Sequence, residues 1–468
     1  MVFSSMTFLC VFLPVVFLLY YLLPGLRVRN GLLIIASLLF YAYGEPVYVL
    51  LMLLSIFMNY FFGRLLEMRS ETGKKLVVAV AVVTNLGMLF IFKYTDMVLK
   101  TVNQISHSDF PMANLALPIG ISFFTFQALS YVIDVYRKEA RAEKNVLHVM
   151  LYISFFPQLI AGPIVKYHDI QEQIRKRKAD PQEIAEGMRR FIVGLSKKVL
   201  ISNTMAYAAD TLFALQASQL NILSAWTAAI AYLFQIYFDF SGYSDMAIGL
   251  GHMFGFGFRE NFDYPYISGS IKEFWRRWHI SLSTWFKEYL YIPLGGNRRG
   301  RVRTCVNKLI VFFSTGLWHG ANWTFVVWGL WHGAFMLLEE VIPVKKLPKV
   351  LRHVYALLVV CIGFVMFRAD TFAQGMMMIG KMFTGWEFGA LQMSEALSVL
   401  TPIFLATCVC AVIGSMPVLP MLKRRIGTGT AKSRAAEPLS YVGTIVLLVL
   451  CMLSLSSGTY NPFIYFRF

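Results

Sequence analysis

The residue that most invites chemistry is a histidine. His319 stands in Gly316-Leu317-Trp318-His319-Gly320-Ala321-Asn322-Trp323, between two short apolar stretches, 305–317 and 323–338. Each stretch is long enough to reach the middle of a bilayer or a little beyond, so the imidazole is expected deep, at a break lined with small residues. An ionisable group at such depth is costly and marks function by default, and imidazole is the side chain that works as a base near neutral pH. The plainer alternative is a packed, hydrogen-bonded core histidine. His279 follows Arg276, Arg277 and Trp278 in Phe-Trp-Arg-Arg-Trp-His-Ile-Ser-Leu-Ser-Thr-Trp-Phe. It is either part of the same chemistry or the polar face of an interfacial helix. His332 comes thirteen places after His319, about 3.6 turns along a straight helix, which offsets the two faces and gives it a core or supporting part. His107, His148, His168 and His353 lie in or near polar and basic loops and read as ordinary. Asp239 and Asp245 are carboxylates in aromatic, apolar sequence and need partners. Arg259, Arg276 and Arg277 are the expected ones, in a network that is as readily structural as functional.

Several other chemistries are excluded. Gly375 to Lys381 has the spacing of a phosphate-binding loop, but Met382 replaces the required Ser or Thr and no strand pattern precedes it. Gly249, Gly251, Gly255 and Gly257 do not spell a dinucleotide fingerprint and suit close helix packing. There is no HExxH, no GxSxG and no covalent-triad signature. The six cysteines form no CxxC pair and no zinc-spaced cluster, so they read as reduced and no metal is expected.

The elements that position these residues follow from composition. Of 468 residues, 57% are hydrophobic and 15% charged, against about a quarter charged in soluble domains. Mean hydropathy is +0.59. Such a chain cannot cover its apolar surface with polar groups, so it is an integral membrane protein. Its net charge of +17 then belongs to loops and anionic headgroups, not to nucleic acid. Candidate spans, at roughly 20 apolar residues each, run near 2–23, 30–48, 48–66, 76–95, 117–136, 194–215, 222–241, 305–319, 322–341, 353–368, 398–417 and 440–457. The basic clusters alternate with them so that both termini face outward. The first run lacks a basic leader and a cleavage site and is a retained span. Val146 to Val165, interrupted by Pro157, Gly162 and Pro163, fits a re-entrant segment, which is tolerated where protein or water covers the backbone. The aromatic and basic stretch around 274–291 fits an amphipathic interfacial helix. The expected fold is an all-α polytopic membrane protein of about 11–12 transmembrane helices with re-entrant and interfacial helices. One domain spans 1–468, with N-terminal spans 1–145, a core 146–340, C-terminal spans 341–460 and a terminal motif 461–468.

Phe238–Tyr243 (FDFSGY), Phe274–Trp285 (FWRRWHISLSTW), Tyr291–Arg298 (YIPLGGNR) and Leu317–Trp323 (LWHGANW) together resemble the membrane-bound O-acyltransferase family, in its bacterial polysaccharide branch of the alginate O-acetylating kind. Pro118–Gln127 (PIGISFFTFQ) and Phe155–Pro163 (FFPQLIAGP) extend the resemblance over nearly the whole chain. It implies a tunnel through the bilayer of a bacterial cytoplasmic membrane. The family's deep histidine matches His319 and its second site position matches His279. The implied donor is acetyl-CoA or another acyl thioester. The implied acceptor is an exported polysaccharide such as alginate, reached through an extracytoplasmic acetyltransferase partner of SGNH-hydrolase type. Acyl transfer from a thioester needs a base and donors for the developing oxyanion. His319 supplies the base, and His279, nearby Trp groups or Asn322 the donors. The phosphates of coenzyme A call for Arg276, Arg277, Arg298 and Arg299 on the inner side.

The C-terminal Tyr460-Asn461-Pro462-Phe463-Ile464-Tyr465-Phe466-Arg467-Phe468 follows the final span on the outer face. It is either an aromatic belt or, as FIYFRF-like endings in this branch imply, a segment folding back into the tunnel mouth. There Tyr465 would carry the acyl group as a transient ester. Alternatives are a D-alanyl transferase using a carrier-bound thioester, a transporter, and a non-catalytic scaffold of a secretion complex.

Overall fold

The computed structural model describes residues 1–178, 180–426, 431–458, 460–462 and 464. Among the described residues every regular element is a helix. Helices satisfy their backbone groups internally, which lipid demands.

Packing divides the chain into two compact units, residues 1–191 with 246–259 and residues 192–245 with 260–468. In the first unit α1 (Tyr48–Met68) and α2 (Glu71–Ser106) are tied by a reciprocal amide pair, Asn59 with Asn85 at 3.0 and 2.9 Å, both buried. α3 (Ile121–Tyr136) starts at Gly120, whose φ is +77°. A Cβ there would lie 2.8 Å from the Leu159 carbonyl, so the glycine lets the first motif of this unit meet the second. The 146–165 stretch folds as two short helices, α4 (Val146–Ser154) and α5 (Phe156–Leu159). Neither is long enough to cross a bilayer, and all their residues from Val149 onward are buried. His148 and His168 have structural partners: Glu143 at 3.1 Å and Asp134 at 2.9 Å. The hydrogen bond that the His168 ring donates to the Asp134 carboxylate raises the pKa of His168 above its ordinary value.

The second unit holds α6 (Asn203–Phe213), most of α7 (Ile222–Met253), α8 (Ile271–Arg277), α9 (Ile280–Phe286), α10 (Arg301–His319), α11 (Trp323–Val341) and α12 (Lys349–Arg368). A π-helical turn, Lys197–Ser202, precedes α6. Ser270 caps α8 by accepting from the Glu273 amide at 3.0 Å, and Asn322 caps α11 by accepting from Thr324 at 3.1 Å. An aromatic core of Phe274, Trp275, Trp278, Trp328, Phe364 and Phe367 joins α8, α11 and α12.

Among the described residues, five helices are long and apolar enough to cross a membrane: α1, α2, α7, α12 and Glu437–Ser456. Ala390–Ser398 and Pro402–Gly414, bent by 60°, make a sixth if they count as one broken span. The candidate span near 398–417 takes in only the second of these helices, which opens at Thr401 and Pro402, the Thr401 hydroxyl accepting from the Phe404 amide. The predicted spans at 2–23 and 117–136 correspond to the shorter apolar helices Phe8–Leu22 and Ile121–Tyr136. The chain is a multi-pass membrane protein.

α10 and α11 form a close antiparallel hairpin. A Cβ at Gly316 would lie 2.4 Å from the Phe325 carbonyl, and one at Gly329 would lie 2.3 Å from the Phe312 carbonyl. Backbone touches backbone at both crossings, as small residues allow. Gly329→Ala is therefore expected to destabilise the protein by about 1–3 kcal/mol through overpacking. Gly443→Ala, whose Cβ meets nothing within 4 Å, should leave the detergent melting temperature unchanged. Equal melting temperatures for the two variants would contradict the hairpin contact.

Candidate active site

His319 is the last residue of α10, at the turn of the hairpin, and is 5% exposed. The two apolar stretches, 305–317 and 323–338, lie in separate helices, and His319 stands at the break between them. α10 and α11 are full 19-residue legs, and the imidazole is covered by packing. Trp318, Trp328 and Phe367 rings stand 5.0, 4.9 and 5.4 Å from it, centroid to centroid. Nδ1 is 2.7 Å from the Thr315 carbonyl one turn earlier. A carbonyl only accepts, so Nδ1 carries the hydrogen and Nε2 of the neutral ring carries the basic lone pair. The helix itself sets the tautomer a general base requires.

His279 lies beside it, with ring centroids 6.4 Å apart. The expected continuous interfacial helix is broken here. α8 ends at Arg277, α9 begins at Ile280, and His279 between them adopts φ +44°. A non-glycine residue in this region is strained and held by its surroundings. The holder is Asn261, which the sequence reading missed. Its backbone carbonyl accepts from the Ile280 amide at 2.9 Å. Its side-chain oxygen accepts from the Ser281 amide and hydroxyl at 3.1 and 2.9 Å and lies 3.3 Å from His279 Nδ1. Its amide donates to Ser244 at 3.0 Å. With Nδ1–H directed at Asn261, neutral His279 presents a lone pair, not a donor, at Nε2. The expected oxyanion-donor part does not suit it in that state. Asn322 is also taken up, donating to the Asp370 carbonyl at 2.8 Å while its oxygen caps α11.

A better donor is Trp328. It is 1% exposed, and its indole N–H has no hydrogen-bond partner among the described residues. An indole nitrogen can only donate. Its ring lies between His319 and His332, 4.9 and 5.2 Å from each. His332 thus does sit close to the site, because the chain turns between the two histidines and the straight-helix offset does not apply. It stacks on Phe274 at 5.9 Å, and neither ring nitrogen is hydrogen-bonded among the described residues.

The two carboxylates have other partners than predicted. Asp239 pairs with Lys198 at 2.8 Å and Asp245 with Lys197 at 2.6 Å. Arg277 is engaged by Asp263 at 2.9 Å and Glu273 at 3.2 Å, and Arg259 by Asp169 at 2.5 Å. The lysines sit inside the predicted 194–215 span, and a charged pair in an apolar run is itself a signal.

A cavity of about 580 Å³ opens beside α8–α10. Lys272, Arg276, Lys287 and Asn297 line it with the apolar faces of Trp275, Phe286 and Phe312. Thr315, whose carbonyl holds His319, lines it too. Arg276 is therefore placed on the cavity. Arg298 and Arg299 are exposed beside its Asn297 edge. Arg277 is not among the lining residues. Tyr465 lies outside the described residues.

His319, with Nδ1 held by Thr315, thus stands against Trp328, whose indole N–H has no partner among the described residues, and Thr315 also lines the cavity that Lys272, Arg276 and Lys287 border. The probable alginate O-acetylase AlgI of Azotobacter vinelandii is 40% identical over 100% of both chains. The peptidoglycan O-acetyltransferase of Helicobacter pylori is 39% identical over 70% of this chain and 68% of its own. The teichoic acid D-alanyltransferase of Bacillus subtilis is more distant, 27% identical over 66% of this chain and 81% of its own. The profile of MBOAT, the membrane-bound O-acyltransferase family, matches residues 82–378, a stretch that contains Asn261, His279, His319 and Trp328, and the chain belongs to that family.

Proposed function

We propose that this acyltransferase takes an acetyl group from acetyl-CoA on the inner side of a bacterial cytoplasmic membrane and passes it outward for O-acetylation of a polysaccharide. The observation that carries the reading is the His319 tautomer set by Thr315, beside the cavity that Thr315 also lines. The thioester arm lies in that cavity, with Arg276, Lys272, Arg298 and Arg299 drawing the coenzyme's phosphates. His319 Nε2 removes the proton of an attacking hydroxyl, the oxygen adds to the thioester carbonyl, and the Trp328 N–H holds the oxyanion. Collapse expels the thiolate, which takes the proton back from the imidazolium. The attacking hydroxyl is that of Tyr465. Its ester, with a leaving group of pKa near 10, is activated for a second transfer to a serine of an extracytoplasmic partner of the SGNH-hydrolase type, and then to the glycan. Both termini face outward in this arrangement. The relatives named as O-acetylating enzymes support acetyl over D-alanyl transfer by their higher identity.

The test is purified protein with radiolabelled acetyl-CoA, scored for free coenzyme A and for label on the protein or an acceptor. Absence of both would favour a transporter or scaffold. In the same assay, Arg276→Glu, and separately charge reversal at Arg298, Arg299 and Arg301, should raise KM for acetyl-CoA by about tenfold, equivalent to about 1.4 kcal/mol. Turnover should change less. Unchanged kinetics in both variants would leave these arginines with topology alone.

A further inference from the structure

The C-terminal segment is held by a different polar side chain at nearly every described position. The Tyr460 hydroxyl donates to Asp210, and Asn461 accepts from the Asn203 amide at 3.1 Å. The Pro462 carbonyl accepts from Lys198 Nζ. The Ile464 amide donates to Asp239 Oδ2 at 3.0 Å, and Ile464 is itself 3% exposed. Lys198 and Asp239 are also each other's ion-pair partners at 2.8 Å, with side chains 3% and 1% exposed. One buried pair therefore grips the backbone on both sides of residue 463. Lys198 comes from the π-helical turn before α6 and Asp239 from α7.

The energetics of the two parts depend on each other. A buried ion pair loses more to desolvation than its Coulomb attraction returns unless further hydrogen bonds satisfy its atoms. Here a backbone carbonyl and a backbone N–H of the C-terminal segment supply such bonds. The segment, in turn, cannot bury an amide and a carbonyl without partners. The acidic and basic halves of the pair match the two polarities of peptide backbone, so the pair reads chain direction and register as well as presence.

We infer that the Lys198–Asp239 pair is a positioning device: it fixes the path of the C-terminal segment through Pro462 and Ile464, and acyl transfer depends on it through that segment. This rests on the reading that Tyr465, the next residue, takes part in the reaction. Neither Lys198 nor Asp239 is required to touch substrate.

The test removes both charges at once. Lys198→Met/Asp239→Leu leaves no unpaired buried charge, a replacement that folds tolerate well, and it deletes both backbone anchors. Hydrogen–deuterium exchange of peptides covering 457–468 reports the segment, and the radiolabel assay reports transfer. The expected result is fast exchange confined to that segment, an unchanged KM for acetyl-CoA and a turnover reduced by about a hundredfold, as for misplacement of a reacting group by an ångström. Asp239→Asn keeps an acceptor for the Ile464 N–H and should retain more protection and more turnover than Asp239→Leu. Released exchange with wild-type turnover would overturn the positioning role, and so would lost turnover with a segment still protected. If the wild-type protein transfers no acetyl group, the functional reading fails while the exchange arm still decides whether the pair holds the segment.

Discussion

His319→Ala is expected to lower acetyl transfer by roughly 10²–10⁴-fold, the range for loss of a positioned general base, while the protein remains folded. The imidazole receives its hydrogen-bonded tautomer from Thr315 within its own helix, and the hairpin around it is held by the Gly316 and Gly329 crossings, not by the ring. Truncation leaves a small cavity among Trp318, Trp328 and Phe367, which costs part of the stability and not the fold. A melting temperature near wild type with transfer lost is the expected pair of results. Wild-type transfer in this variant would remove the base role. His279→Ala should impair turnover less, because its ring nitrogen at the site presents a lone pair and the strained backbone at φ +44° is relieved by no side-chain change.

Tyr465→Phe is expected to lower transfer to the acceptor by about a thousandfold, about 4 kcal/mol of barrier. The substitution keeps the ring and its apolar surface and removes one oxygen. Ile464, immediately before it, is buried and hydrogen-bonded to Asp239, so the chain up to that point has no reason to move. The variant should still bind acetyl-CoA with wild-type KM, since the cavity is formed by α8–α11 and their turns, away from the C-terminal segment's anchors on Lys198 and Asp239. Label should disappear from the protein and from the polysaccharide together. Retained polysaccharide acetylation in cells would rule out the tyrosyl relay and return the motif to membrane anchoring.

The sequence by itself determined the class of this molecule and the identity of its central residue. A chain with 57% hydrophobic residues in runs of span length has one kind of solvent, and only helices or closed barrels meet the backbone's needs there. His319 stands out for the same local reason, a titratable ring between apolar runs with small residues beside it. The motifs around it carried the family resemblance, since they are contiguous in sequence.

Only the tertiary structure decided how those pieces meet. The aromatic, basic stretch at 271–286 has unbroken helical character, yet it breaks at His279 because Asn261, eighteen residues earlier, takes up the hydrogen bonds that turn the chain. His332 and His319 come to flank Trp328 because α10 and α11 fold back as a hairpin, an event of glycine packing between helices. Asp239 and Asp245 look toward the arginines that follow them in sequence, but lysines of the turn before α6 reach them first. Periodicity reports which face of a helix is apolar. It carries no record of which distant polar group that face will bury, because that choice is made by helix crossings whose partners are set one helix at a time by shape.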